Sequence, residues 1–146
     1  MKKNCVFIDS NVWFSAFYKE GICSKILRLI IKFKWHIVIS ELVLEEIIRN
    51  VKEKIPTVLP LVITYLDTLS PAVVKNPSLD VVKQYRGWAK LHDLPILVSA
   101  IEYGCTYFVT GNIQDFNENQ IRLKSDLKII APSLFLKCIS SQSLSS

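Results

Sequence analysis

Apolar residues recur along this chain in two rhythms, short continuous runs and longer stretches with helical spacing. Residues 4–8 form a β-rich run that stops at Asp9-Ser10-Asn11, residue types suited to capping a following helix. Between 24 and 33, apolar residues fall at 26, 27, 30 and 31 and cations at 25, 28 and 32, which predicts a helix with one wet face. Residues 36–39 are a second β-branched run. Ser40 stops it and is placed to cap a helix over 41–51, whose apolar positions are 42, 43, 44, 47, 48 and 51. Pro56 opens a further helix to about Leu69, Val73-Val74 carries a short strand signal, and Ser78 can cap a helix running towards Leu91. Asp93, two residues before Pro95, is expected to cap an apolar helix over 96–103 that Gly104 ends. Residues 106–110 predict a strand closed by a Gly-Asn turn, 127–130 another, and 132–139 a terminal helix. Short β-rich runs alternating with helices predict a three-layer α/β/α sandwich around a parallel sheet.

Composition narrows the class without changing the outline. The 146 residues suffice for one domain with a real core. No repeat or linker divides them, so residues 1–139 are expected as a single domain and 140–146 as a disordered Ser-rich tail. No segment approaches the roughly 18–20 uninterrupted apolar residues of a membrane span. Met1-Lys2-Lys3 resembles a signal n-region, but no cleavage site follows, and a cytoplasmic location is expected. The four cysteines stand far apart, with no C-x-x-C, which predicts reduced thiols rather than a zinc site. Net charge is +5, and the stretch from Gly21 to Ser40 holds four cations and no anion. That basic face attracts a polyanion or merely solvates a helix.

The candidate chemistry is acidic. Asp9 follows the first strand, and Asn112 and Asp115 follow the strand ending at Thr110. In open parallel sheets, ligands bind outside the carboxyl ends of strands. Asp93 stands at a helix N-terminus, and Glu46 lies a turn and a half into the helix after the second strand, beside its buried stripe. Glu41 and Glu45 are rivals on that helix. Taken singly, Asp9 and Asp93 are good caps, Glu46 a surface residue and Asp115 a turn residue. Converged, two carboxylates about 5 Å apart repel by roughly 3 kcal/mol at an effective dielectric near 20. A hard divalent cation, which takes oxygen ligands, or a shared proton would offset that.

As a set, these motifs resemble the PIN domain, the metal-dependent ribonuclease fold of toxins in toxin–antitoxin pairs (VapC-like). The segments are Phe7-Ile8-Asp9-Ser10-Asn11-Val12, then Ser40-Glu41-Leu42-Val43-Leu44-Glu45-Glu46-Ile47, then Asp93-Leu94-Pro95-Ile96-Leu97-Val98-Ser99-Ala100. Tyr107-Phe108-Val109-Thr110-Gly111-Asn112, Asp115-Phe116 and a closing Ile130-Ala131-Pro132-Ser133-Leu134-Phe135-Leu136 follow. The resemblance spans Val6 to Leu136 and favours Glu46, six residues after Ser40. Ser10 replaces the usual threonine, and Asn112 stands where many members carry aspartate.

The resemblance implies an endoribonuclease whose Asp9, Glu46, Asp93 and Asp115 hold Mg²⁺ or Mn²⁺ and activate water against a phosphodiester. Its products would be 5′-phosphate and 3′-hydroxyl ends. Ser10, Asn11, Thr110 and Asn112 would orient ligands or water. Lys25, Arg28 and Lys32 are candidates to steer the RNA backbone. An antitoxin protein is the implied partner, a homodimer the common assembly, and no membrane is involved. Two other classes compete. One is a PIN-like binding or scaffold module with weak or no activity. The other is a phosphoryl-transfer enzyme of haloacid-dehalogenase type, which needs a second aspartate where Asn11 stands. A response-regulator receiver lacks its acidic pair.

Overall fold

Cys5–Ile8, the central strand β1, is buried at all four positions, as a strand covered on both faces requires. The computed structural model of the chain describes residues 4–145, with side chains to 141. Met1-Lys2-Lys3, weighed above as a leader, and Ser146, the end of the expected tail, lie outside the described residues.

Helices α1 (Ser10–Tyr18) and α2 (Ile22–Lys32) lead from β1 to β2 (His36–Ser40). Helix α3 (Glu41–Lys54), a 3-10 turn at Pro56–Val58 and α4 (Leu59–Leu69) lead on to β3 (Ala72–Val74). Helices α5 (Leu79–Lys83) and α6 (Leu94–Tyr103) precede β4 (Tyr107–Val109). A 3-10 turn at Ile113–Asp115, α7 (Glu118–Lys124), β5 (Lys128–Ile130) and α8 (Pro132–Ser145) complete the chain.

The five strands lie in the order β3-β2-β1-β4-β5, every pair parallel. Phe7 is in register with Val38 on one side and Phe108 on the other. The chain steps outward from β1 to β3, then returns to the far side of β1, so the order reverses between β1 and β4. Right-handed crossovers therefore put α1–α4 on one face and α5–α7 on the other, while α8 comes back to pack on α2. The reversal opens a crevice at the carboxyl ends of β1 and β4. It is pinned by the Asp9 amide donating to Val109 O at 3.0 Å.

Local chemistry explains most element boundaries. Ser40 Oγ accepts from Val43 N at 3.2 Å, so α3 starts where the β-branched run stops. Gly104 ends α6 at φ 91°, a left-handed conformation that favours glycine. The core is aromatic beneath the crevice. Phe7 and Phe108 stack at 5.3 Å, and Phe116 lies 5.1 Å from Phe108.

Three expectations are corrected. The helix after Ser78 does not reach Leu91 but stops at Lys83, and the chain turns through Gly87 at φ 88°. Residues 88–90 then pair with 115–117, with Asn117 N to Trp88 O at 2.8 Å and Lys90 N to Asp115 O at 2.9 Å. Second, α7 was not anticipated, although Asn117 Oδ1 accepts from Gln120 N and caps it. Third, Asp93 occupies the cap position of α6, yet its side chain accepts no hydrogen bond from that helix. Helix α8 runs through Ser145, past the start of the expected tail at Ser140, since neither glycine nor proline follows Ile139 to stop it.

Candidate metal centre

Asp9 is 4% exposed and held by three donors. Its Oδ1 accepts from Ser10 N at 2.8 Å, and its Oδ2 accepts from Thr110 Oγ1 at 2.9 Å and Asn11 Nδ2 at 3.2 Å. The donors are themselves fixed. Thr110 Oγ1 accepts from Asn112 N at 3.1 Å, and Asn11 Oδ1 accepts from Gly111 N at 3.0 Å. A side chain at Gly111 would meet Asn11 Oδ1 at 3.3 Å, so glycine lets the loop close over the start of α1.

A pocket of about 250 Å³ opens beside Asp9. Glu46, Asp93 and Asp115 line it, with Ser10, Asn11 and Asn112, while Thr110 lies buried behind Asp9. The structure thus gathers all four predicted carboxylates. Lys25, Arg28 and Lys32 are not brought there. They stay on α2, where Arg28 pairs with Glu20 at 3.0 Å and Lys32 lies over Phe33. Larger concavities lie against α3 and α4, one lined by Leu44 and Ile48 with the charged residues Glu45, Arg49, Lys52 and Glu53, the other mainly by apolar residues.

The pocket also holds residues absent from the sequence reading of the site. Phe14, Asn50 and Lys54 line it, as does His92. Lys90 Nζ contacts Asp115 Oδ1 at 2.9 Å. Helical spacing carried part of that signal, since Asn50 and Lys54 follow Glu46 at four-residue steps.

Electrostatics mark the pocket as under-neutralised. Burial raises the Asp9 carboxyl above the ordinary 3.8, against hydrogen bonds from Thr110, Ser10 and Asn11 that lower it. Glu46 is raised by burial and then by Asp9, and Asp93 by burial and then by Asp9 and Asp115, with His92 opposing. Glu46 Oε1 and Asp93 Oδ2 are buried without a hydrogen-bond donor. His92 Nε2 stands 3.4 Å from the latter, an ion-pair distance without hydrogen-bond geometry. Carboxylates that line one cavity and keep oxygens without donors fit a hard cation. His92, Asp93 and Asp115 can moreover bring one ligand atom each within 4.8 Å of the others.

Raised carboxyl pKa values fix the sign of the pH dependence. A carboxyl that binds its proton more tightly in the folded state contributes stability below its unfolded pKa. That stability is lost as pH rises through the folded value. Metal-free protein is therefore expected to gain from these groups as pH falls from neutral towards 3.8 and 4.5. Glu46→Gln should flatten this dependence and raise the metal-free melting temperature at pH 7 by about 2–4 °C. Superimposable melting curves for the two proteins across pH 5–8 would contradict the electrostatic account.

Comparison with known proteins agrees with this geometry. The PIN domain profile matches residues 6–120, and the chain belongs to the PIN domain family. The fold is that of VapC toxins of VapBC complexes. The crystal structure of DNA-bound VapBC from Salmonella typhimurium aligns with a TM-score of 0.62 at 17% identity, over 87% of this chain and 97% of that one. VapBC2 from Rickettsia felis, bound to a DNA fragment from its promoter, aligns with a TM-score of 0.60 at 19% identity, over 87% and 98%. No curated protein matches the chain. PIN domains use divalent metals and are typically nucleases. Among the described residues no helix is long and apolar enough to cross a membrane.

Proposed function

We propose that this protein is a Mg²⁺- or Mn²⁺-dependent endoribonuclease and the toxin of a toxin–antitoxin pair. One observation carries the reading: Glu46 and Asp93 line the same small cavity as Asp9, and each keeps a buried carboxylate oxygen, Oε1 and Oδ2, with no donor to satisfy it. Asp9, Glu46, Asp93 and Asp115 would hold the ion. It supplies Lewis acidity towards water and the phosphate. Asp9 is the fixed corner, since three donors hold its carboxylate while lone pairs remain. Thr110 gives its proton to Asp9 and takes the Asn112 amide, so it orients rather than reacts. The Asn112 side chain offers an uncharged amide to water or a phosphate oxygen.

Purified protein should cleave single-stranded RNA in Mn²⁺, lose that activity in a chelator, and lose at least about 100-fold in Glu46→Gln. Equal cleavage by Glu46→Gln would overturn the assignment. For the antitoxin, support comes from the fold, which resembles structures of VapBC.

A scaffold without catalysis is the second reading, favoured by the weak fourth corner. Asp115 is tied to Lys90 and Asn112 brings no charge. Lys90→Met is expected to tighten Mn²⁺ several-fold by calorimetry, with cleavage retained. A scaffold would give no Mn²⁺ heat in either protein.

A further inference from the structure

We propose that the groove between α1 and α3 is a single-stranded RNA track leading out of the carboxylate pocket. In it Phe14 and Tyr18 are the base-stacking platform and Lys54 is a phosphate contact. The inference rests on the RNA reading above and specifies how that site takes its substrate.

Two rails start at the pocket. On α1, Asn11 lines the pocket and Phe14 and Tyr18 follow three and seven residues on, which places all three on one helix face. The two rings stack at 5.7 Å with 28° between their planes. Phe14 is half-buried in the pocket wall, and Tyr18 is 59% exposed, a large aromatic left in water beside the cleft. On α3, Glu46, Asn50 and Lys54 follow at four-residue steps and line the same pocket. Helix α1 packs on α3, so the rails are adjacent. They converge at the outer end, where Lys54 Nζ lies 5.3 Å from the Phe14 ring centroid.

Charge changes sign along the groove. The floor is carboxylate, where a cation would have to bridge protein and phosphate. Eight residues further along α3, about 12 Å at 1.5 Å per residue, the wall ends in an ammonium. A polyanion entering past Lys54 meets a positive mouth, and a base beside that phosphate finds the exposed Tyr18 ring, which Phe14 backs. Only an unpaired nucleotide can present its face in this way, because duplex bases are stacked on each other. Stacking on aromatic rings with a cation alongside is how single strands are held without sequence readout. Helix α2 cannot supply this mouth, since Lys25, Arg28 and Lys32 lie outside the pocket and Arg28 is held by Glu20.

The test is fluorescence anisotropy of an unstructured RNA oligonucleotide with the full chain in Ca²⁺, beside Mn²⁺ calorimetry and cleavage kinetics. Lys54→Met and Tyr18→Ala should each weaken RNA binding about five- to tenfold. Both should raise KM more than they lower kcat and leave Mn²⁺ affinity unchanged. Phe14→Trp should retain binding that Phe14→Leu loses, and Lys25→Met with Lys32→Met should change nothing. Unaltered RNA affinity in both Lys54→Met and Tyr18→Ala overturns the track. So does loss of a co-purifying protein partner with RNA affinity intact, which assigns the groove to that partner. Wild-type protein with no Mn²⁺-dependent cleavage removes the ribonuclease reading itself, and the track with it.

Discussion

Asp9→Asn should lower Mn²⁺-supported RNA cleavage by about 10²–10⁴-fold while the protein stays folded. The substitution keeps the shape of the side chain and removes its charge. Asp9 now accepts from Ser10 N on one oxygen and from Thr110 and Asn11 on the other. An asparagine can satisfy only one of these sides, because its amide nitrogen would face a donor on the other. The Asn11 amide cannot turn to accommodate it without releasing Gly111 N. Metal affinity and the alignment of the loop should therefore fall together. Removing a buried anion offsets part of the lost hydrogen bonding, so the metal-free fold persists. Single-turnover cleavage and Mn²⁺ calorimetry check the two effects separately. Wild-type rates in Asp9→Asn would contradict the role assigned to this carboxylate.

Phe108→Ala is expected to cost about 3–5 kcal/mol of stability, a large share of the roughly 5–15 kcal/mol available to a domain. Phe108 is fully buried in β4, stacks on Phe7 and touches Phe116, so truncation opens a cavity between the two remaining rings. The strand it belongs to carries Val109, which holds the Asp9 amide, and leads to Thr110, which holds the Asp9 carboxylate. Loss of packing should thus loosen the site as well as the core. Phe108→Leu keeps most of the volume and should cost less than about 1.5 kcal/mol. Urea unfolding measures both, and a Phe108→Ala protein within about 1 kcal/mol of wild type would show that the stack is not a main support.

The strands and helices around Asp9, Ser40 and Gly104 were legible because their caps and stops are chemically explicit. Parallel pairing followed from short β-rich runs alternating with helices. The region from Ser78 to Asp93 was misjudged because apolar spacing there continues past Gly87, while the actual path is set by residues 88–90 pairing with 115–117. Such long-range pairing leaves no local pattern. It also makes the Lys90–Asp115 ion pair, since backbone contacts bring Lys90 beside a carboxylate 25 residues away. In the site, Asp9, Asp93 and Asp115 were readable from their positions after strands and at a helix start, whereas Glu46, a turn and a half into α3, was favoured over Glu45 by the resemblance. Asp93 reads from sequence both as a cap and as a ligand candidate; in the structure its side chain caps nothing, and its Oδ2 has no donor beside the pocket it lines. Lys54 was passed over because it sits beyond the end of the expected helix, which continues to Lys54 rather than stopping at Val51.

The most direct test of a divalent-ion ribonuclease site is the chemistry of the ends it leaves. A synthetic single-stranded RNA cleaved by the purified chain in Mn²⁺ should yield 5′-phosphate and 3′-hydroxyl termini, with no product once a chelator is added. Products with 2′,3′-cyclic phosphate ends, or cleavage undiminished by the chelator, would mean that the acidic pocket at Asp9, Glu46, Asp93 and Asp115 does not carry the reaction.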